Sequence, residues 1–195
     1  RLINYLEAMD VTIDLIDQYT YSDTDTALEW AEDHLLDRHE KRKNTSRSAD
    51  LSEMILFKDF SERELSLLQK RMINLSFKKD EIVFKEGDHT RDLYLLTKGK
   101  MSVKIYLPES DSQKRLFTYA PGTVIGEMSF LDGAPRSASV WASERSEAMC
   151  LPIENFQDLI QNEPELSTKL MKNLALEISG RLRRTSNQVR LLEDS

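Results

Sequence analysis

Cysteine is almost missing from this chain: Cys150 stands alone among 195 residues. No disulfide can form within it, and the composition fits a reducing compartment, so a cytoplasmic location is expected. Histidine is nearly as scarce. His34, His39 and His89 lack the spacing of a metal-binding pair, which argues against a metal centre. An excess of positive charge is also missing: 27 Lys and Arg face 34 Asp and Glu, for a net charge of −7. A protein that grips a phosphate backbone needs basic surface, so no nucleic-acid partner is expected. No apolar run approaches the roughly 20 residues that span a bilayer. No signal-peptide pattern opens the chain either, so membrane insertion is not expected. The first residue is Arg1 rather than Met, as expected of a stretch that begins inside a longer protein. What remains is ordinary for a globular domain with a core: 39% hydrophobic and 31% charged residues. The length suits one medium domain or a small one with attachments.

Three regions separate by periodicity. In residues 1–45, Leu2, Leu6 and Met9 lie at helical spacing, Val11 to Leu15 alternates, and Ala27, Leu28, Trp30, Ala31 and Leu35 trace an amphipathic helix. With 11 acidic and 5 basic residues, this region reads as an acidic helical extension. Residues 38–50 hold no large apolar side chain and read as a linker. Further on, Ser61 followed three residues later by Glu64 forms a capping-box signature for a short helix.

From Ile73 to Leu151 the period falls to two. Met101, Val103, Ile105 and Leu107 share one face of a strand. Further strand-like runs cover 81–85, 92–97, 114–120, 137–142 and 147–151, with turn residues between them. Many short strands at such intervals predict a sandwich, barrel or jelly roll. One tight turn, at Lys79-Asp80, lacks glycine, and Asp tolerates the left-handed conformation it requires. After Pro152 the pattern is helical again: a short helix over 154–161, then a long one from Pro164. In the long helix Met171, Ala175, Ile178, Leu182, Thr185, Val189 and Leu192 alternate at spacings of four and three. Three heptads with one polar seam residue predict pairing with a second copy of the helix; docking of the same stripe on the chain's own strands is the competing reading.

The chemistry concentrates between Gly122 and Val140. Gly126 ends a strand where a backbone without Cβ can approach a ligand. Glu127 to Leu131 is one helical turn, with free N–H groups suited to an anion. Arg136 then opens a strand, and Ser137 and Ala138 are small enough for their amides to approach a phosphate. A carboxylate and a guanidinium nine residues apart around such a turn suit a ligand with a hydroxyl at one end and an anion at the other. A plain salt bridge beside a turn is the bland alternative.

The string Gly-Glu-x3-Leu-x-Gly-x-Pro-Arg-Ser-Ala-x-Val, residues 126–140, resembles the phosphate-binding cassette of the cyclic-nucleotide-binding domain family. The resemblance spans about 52–192 and includes Gly87, Gly99 and Gly122. It implies an α+β fold: an antiparallel β-roll or jelly roll (double-stranded β-helix) flanked by helices, with a long C-terminal dimerisation helix. It further implies a cyclic nucleotide ligand, cAMP or cGMP, held by Glu127 on the ribose 2′-OH and Arg136 on the phosphate. Gly126, Met128, Ser137 and Ala138 complete the cassette, and Val103, Leu116 and Tyr119 line the base. Leu116 and Tyr119 have opposite strand parity, so both can face the base only if the strand is bulged. Arg181-Leu-x-x-Thr185-Ser186-x-x-Val189 resembles the final helix of the catabolite-activator branch, which implies that Thr185 and Ser186 reach the base, Ser186 from a partner copy. Thr185 setting helix register is the simpler alternative. Ser137 in place of Thr favours cAMP over cGMP. No helix-turn-helix follows the long helix, so the DNA binding of that branch is not expected here.

Residues 1–40 resemble, more weakly, the closing helix–strand–helix of a STAS domain. The expected organisation is therefore an N-terminal helical extension and linker over 1–50, a cyclic-nucleotide-binding roll over 51–163, and a lid and dimer helix over 164–195. The expected role is a non-enzymatic receptor that passes ligand occupancy to its C-terminal helix. A degenerate roll kept as an oligomerisation scaffold is the alternative. A cupin-type enzyme would need clustered ligands, and only His89 lies among the strands.

Overall fold

The computed structural model describes residues 54–107 and 112–193, and side chains for all of these except 107, 112–114 and 187–193. The extension and linker expected over 1–50, with their STAS resemblance, lie outside the described residues. A 3₁₀ turn at Ile55–Phe57 precedes α1 (Glu62–Gln69), then β1 (Ile73–Phe77), β2 (Ile82–Phe84), β3 (Leu93–Lys98), β4 (Met101–Leu107), β5 (Ser112–Tyr119) and β6 (Val124–Ile125). The short helix α2 (Glu127–Asp132) follows, then β7 (Ser139–Ala142), β8 (Ser146–Leu151), α3 (Ile153–Asn162) and α4 (Pro164–Glu193).

Two antiparallel four-stranded sheets form the roll, ordered β1-β8-β3-β6 and β2-β7-β4-β5. The first is covered on both faces at its β3 strand. From β3, Tyr94 and Leu96 point into the roll, where they meet Phe84, Met101, Val103 and Val140 of the second sheet. Leu93 and Leu95 point the other way, onto Leu56, Leu68, Phe156 and Leu170 of the helices. That two-sided burial is why Leu-Tyr-Leu-Leu reads as one apolar run. The alternating β4, in contrast, carries the half-exposed Lys104 between its inward residues. The fold is the α+β roll flanked by helices that the cassette resemblance implied.

Local rules hold at the joints. Asp80 takes φ 65° in the turn that lacks glycine. Ser61 caps α1 in a full capping box with Glu64. The strand expected from Ser137 starts two residues later, at Ser139. Arg136 instead gives its backbone to the β2–β3 loop: its N–H donates to Asp88 O at 2.9 Å, and its carbonyl accepts from Gly87 N at 2.8 Å.

The long helix has two distinct faces. Leu166, Leu170, Asn173 and Leu174 are buried against the roll and α1. Asn173 Nδ2 donates to the carbonyls of Leu56 (3.0 Å) and Lys58 (2.8 Å), tying the 3₁₀ turn to α4. The heptad stripe is rotated away from that face. Met171 and Ile178 are only half-buried, Ala175 is exposed, and Leu182 is 66% exposed. Met171 and Ile178 still pack against the core cluster, so docking on the chain's own roll takes part of the stripe and leaves Ala175 and Leu182 exposed; the side chains of Val189 and Leu192 lie outside the described set.

Glu64 also joins α1 to α4, accepting from Lys169 Nζ at 3.0 Å. The Ser61 backbone amide, the Ser61 hydroxyl and Lys169 together hold its carboxyl down at about 2. A carboxyl depressed in the folded state stabilises fully above its unfolded value and loses that contribution as pH falls toward the folded one. Glu64→Gln is expected to melt at lower temperature than the parent at pH 7, with the gap closing as pH falls from about 4.5 toward 2. Melting curves across that range check it.

Candidate functional site

A cavity of about 330 Å³ opens between the second sheet, α2 and the middle of α4. Gly126, with φ 82°, sits in the left-handed region at the join of β6 and α2, where side chains other than glycine are disfavoured. A Cβ placed there would collide with Arg136 Nη1. Glycine thus serves both the backbone turn and the close passage of the arginine.

The Arg136 side chain is the centre of the wall. The residue is 2% exposed. Nη1 donates to Gly126 O at 2.9 Å, Nη2 to Asp92 O at 2.8 Å, and Nε to Thr90 Oγ1 at 3.2 Å. The guanidinium lies over the Phe84 ring, 4.2 Å from its centroid. No carboxylate among the described residues reaches ion-pair distance of it. Burial lowers its pKa, yet an arginine keeps its proton in proteins. The result is a buried positive charge fixed by dipoles and a ring face, with the cavity in front of it.

Glu127 opens α2 on the same cavity. Its Oε1 accepts from Arg181 Nη1 at 3.0 Å. Arg181, on α4, also donates from Nη1 to the Tyr119 hydroxyl at 3.3 Å, and from Nη2 to Val124 O at 2.9 Å and Glu177 Oε1 at 3.3 Å. Burial, then the Glu127 charge, pushes the Tyr119 hydroxyl up to about 12. One arginine therefore links the terminal helix to three parts of the roll.

Of the sequence-derived candidates, Gly126, Glu127, Met128, Arg136, Ser137 and Ala138 all line this cavity, as do Val103, Leu116 and Tyr119. The parity problem in β5 resolves through a bulge. Val103 faces Phe117 and Lys104 faces Arg115, so Leu116 is the extra residue and both it and Tyr119 reach the cavity. Thr185 and Ser186 are exposed on α4 and do not line it. Sequence reasoning passed over Phe117 and Arg181 as lining residues. Phe117 has the strand parity of Tyr119, which could have pointed to it, and Arg181 stood in the resembling string with its partner Glu127 already named.

A roll with this cassette belongs to a class of regulatory binding domains. Residues 74–163 match the cyclic nucleotide-binding domain family, and the chain belongs to that family through this stretch. The chain is 34% identical over 129 residues to the cyclic AMP receptor protein of Thermus thermophilus, which covers 66% of this chain and 55% of that protein. It is 31% identical over 168 residues to glutaminase 2 of Bradyrhizobium diazoefficiens, covering 86% of this chain but only 26% of the relative, so it spans about a quarter of that protein. Among solved structures, a cyclic nucleotide-binding domain from Methylobacillus flagellatus superposes with a TM-score of 0.65 at 29% identity, over 72% of this chain and 80% of that one. Among the described residues no helix is long and apolar enough to cross a membrane, and no cluster of His, Cys, Asp or Glu could hold a metal.

Gly126→Ala is expected to lose about 1–3 kcal/mol of stability, because the new Cβ meets Arg136 and the backbone stays left-handed. Denaturant unfolding measures the loss, and a stability within 0.5 kcal/mol (about the scatter of neutral surface changes) would contradict the close approach.

Proposed function

We propose that the chain is a receptor module for a cyclic nucleotide, cAMP in preference to cGMP, which reports occupancy through its terminal helix and catalyses no reaction. The observation that carries this reading is the buried guanidinium of Arg136 at the cavity wall, which no carboxylate among the described residues pairs. A buried charge is stable when paired, and a cyclic phosphate supplies the missing anion. In this reading Ser137 and Ala138 approach the phosphate, and the ribose 2′-hydroxyl donates to Glu127 Oε2, which has no hydrogen-bond partner among the described residues. The base lies against Val103, Leu116 and Tyr119, with Phe117 beside them. Ser137 in place of Thr supports adenine.

The cAMP named for the Thermus receptor and the cyclic nucleotide-binding domain superposed here support the same ligand class. Residues 51–163 are the receptor roll and 164–195 the lid and dimer helix, with 1–50 as an attached extension in a cytoplasmic protein. The exposed stripe through Ala175 and Leu182 suits a second copy, which would bring Thr185 and Ser186 to the bases of paired sites. The glutaminase match is longer than the segment from residue 54 to the end, so it reaches into the first 53 residues. That reach supports an N-terminal extension shared with a larger regulated protein.

Arg136→Ala is expected to weaken cAMP at least about 100-fold, on the order of 3 kcal/mol, since the phosphate loses its charged fork. Calorimetric titration with cAMP, cGMP and a cyclic dinucleotide, on parent and variant, is the test. Unchanged affinity in the variant would reject the assignment, and no binding by the parent would favour an assembly scaffold.

Leu182→Glu is expected to shift the protein from dimer to monomer in sedimentation equilibrium, because it places a charge on the heptad seam. A parent that sediments as a monomer would remove the dimer from the proposal.

A further inference from the structure

Arg181 is shared by two acids of different standing. Glu127 belongs to the cavity wall, while Glu177 does not line the cavity; it lies one turn back on the same helix as the arginine. Its side chain is nevertheless only 10% exposed, slightly less than the 12% of Glu127. An exposed i,i+4 pair would be decoration worth a few tenths of a kcal/mol. A pair taken out of water, with a second carboxylate on the same guanidinium, constrains geometry instead. The two edges of the arginine are divided: Nη1 serves Glu127 Oε1 and the Tyr119 hydroxyl, Nη2 serves Glu177 Oε1 and Val124 O.

The division has a chemical consequence at the cavity. A guanidinium facing a lone carboxylate tends to take both of its oxygens in a fork. Here Nη2 is engaged elsewhere, and Arg181 takes only Oε1 of Glu127. We propose that Glu177 is a positioning residue of the sugar subsite: by holding Nη2 of Arg181 it keeps that arginine on a single oxygen of Glu127, and so leaves the other oxygen open to a ligand hydroxyl. The proposal rests on the receptor reading above and deepens it. Without Glu177 the arginine can swing onto both oxygens, so the hydroxyl competes with an internal ion pair. Burial raises the Glu177 pKa ahead of any other effect, consistent with an acid kept in place by its neighbours rather than by water.

The test measures the ratio of affinities for cAMP and 2′-deoxy-cAMP by calorimetry on the full chain. The parent is expected to favour the hydroxyl-bearing ligand by on the order of tenfold or more, as one hydrogen bond to a charged acceptor implies. Glu177→Ala is expected to cut that ratio at least about fivefold, by weakening cAMP while leaving the deoxy ligand within about twofold. Glu177→Gln keeps an oxygen acceptor for Nη2 and the same shape; it is expected to fold as the parent does and to retain an intermediate ratio. Equal weakening of both ligands would mark a merely structural residue and overturn the proposal, as would an unchanged ratio in both variants. A parent that binds neither ligand overturns the receptor reading and this proposal with it, whereas a parent that binds both with a ratio insensitive to Glu177 overturns this proposal alone.

Discussion

A guanidinium that no carboxylate among the described residues pairs sits at the structural centre of the roll. Arg136 draws together three segments: Phe84 of β2 beneath its plane, Thr90 and Asp92 ahead of β3, and Gly126 at the start of α2. Each bond goes to a carbonyl or hydroxyl, so the charge is oriented without being cancelled. A carboxylate in the same place would make a more self-sufficient wall and a poorer anion site. The fold thus keeps a cation in low-dielectric surroundings, where an arriving anion interacts far more strongly than it would in water. The backbone bonds of Arg136 to Gly87 and Asp88 hold its Cα at the cavity, and its three side-chain donors hold the guanidinium there.

Around that centre the cavity is assembled from elements of differing rigidity. The second sheet and the β6–α2 join belong to the roll, while Arg181 arrives from a helix whose outer face is largely exposed. The helix therefore meets the site through one side chain and its partners rather than through a broad apolar contact. In the proposed receptor, a ligand that changed these contacts would shift an existing equilibrium.

Most of the architecture was legible because its rules are local. The capping box at Ser61 and Glu64, the turn at Asp80 and the alternation of β4 each follow from a few neighbouring residues. Limits appeared where a long-range partner decides. Arg136 was expected to open a strand, but the Gly87–Asp88 loop claims its backbone, and no periodicity reports on a loop about fifty residues away. The bulge at Leu116 was recognised only as a condition that parity imposed. Arg181 was missed as a lining residue because heptad logic directs attention to the seam of the helix, and the arginine lies off that seam. Its importance comes from Glu127, a residue more than fifty positions earlier.

Asn173 gives α4 a second fixed point. It stands eight residues before Arg181, about 12 Å along the helix axis, and its amide holds one carbonyl within the Ile55–Phe57 turn and one just after it. A stiff rod pinned at two stations acts as a lever. Any tilt imposed at the arginine must either stretch those amide bonds or carry the turn along, and the sequence upstream of that turn is where the first fifty residues attach.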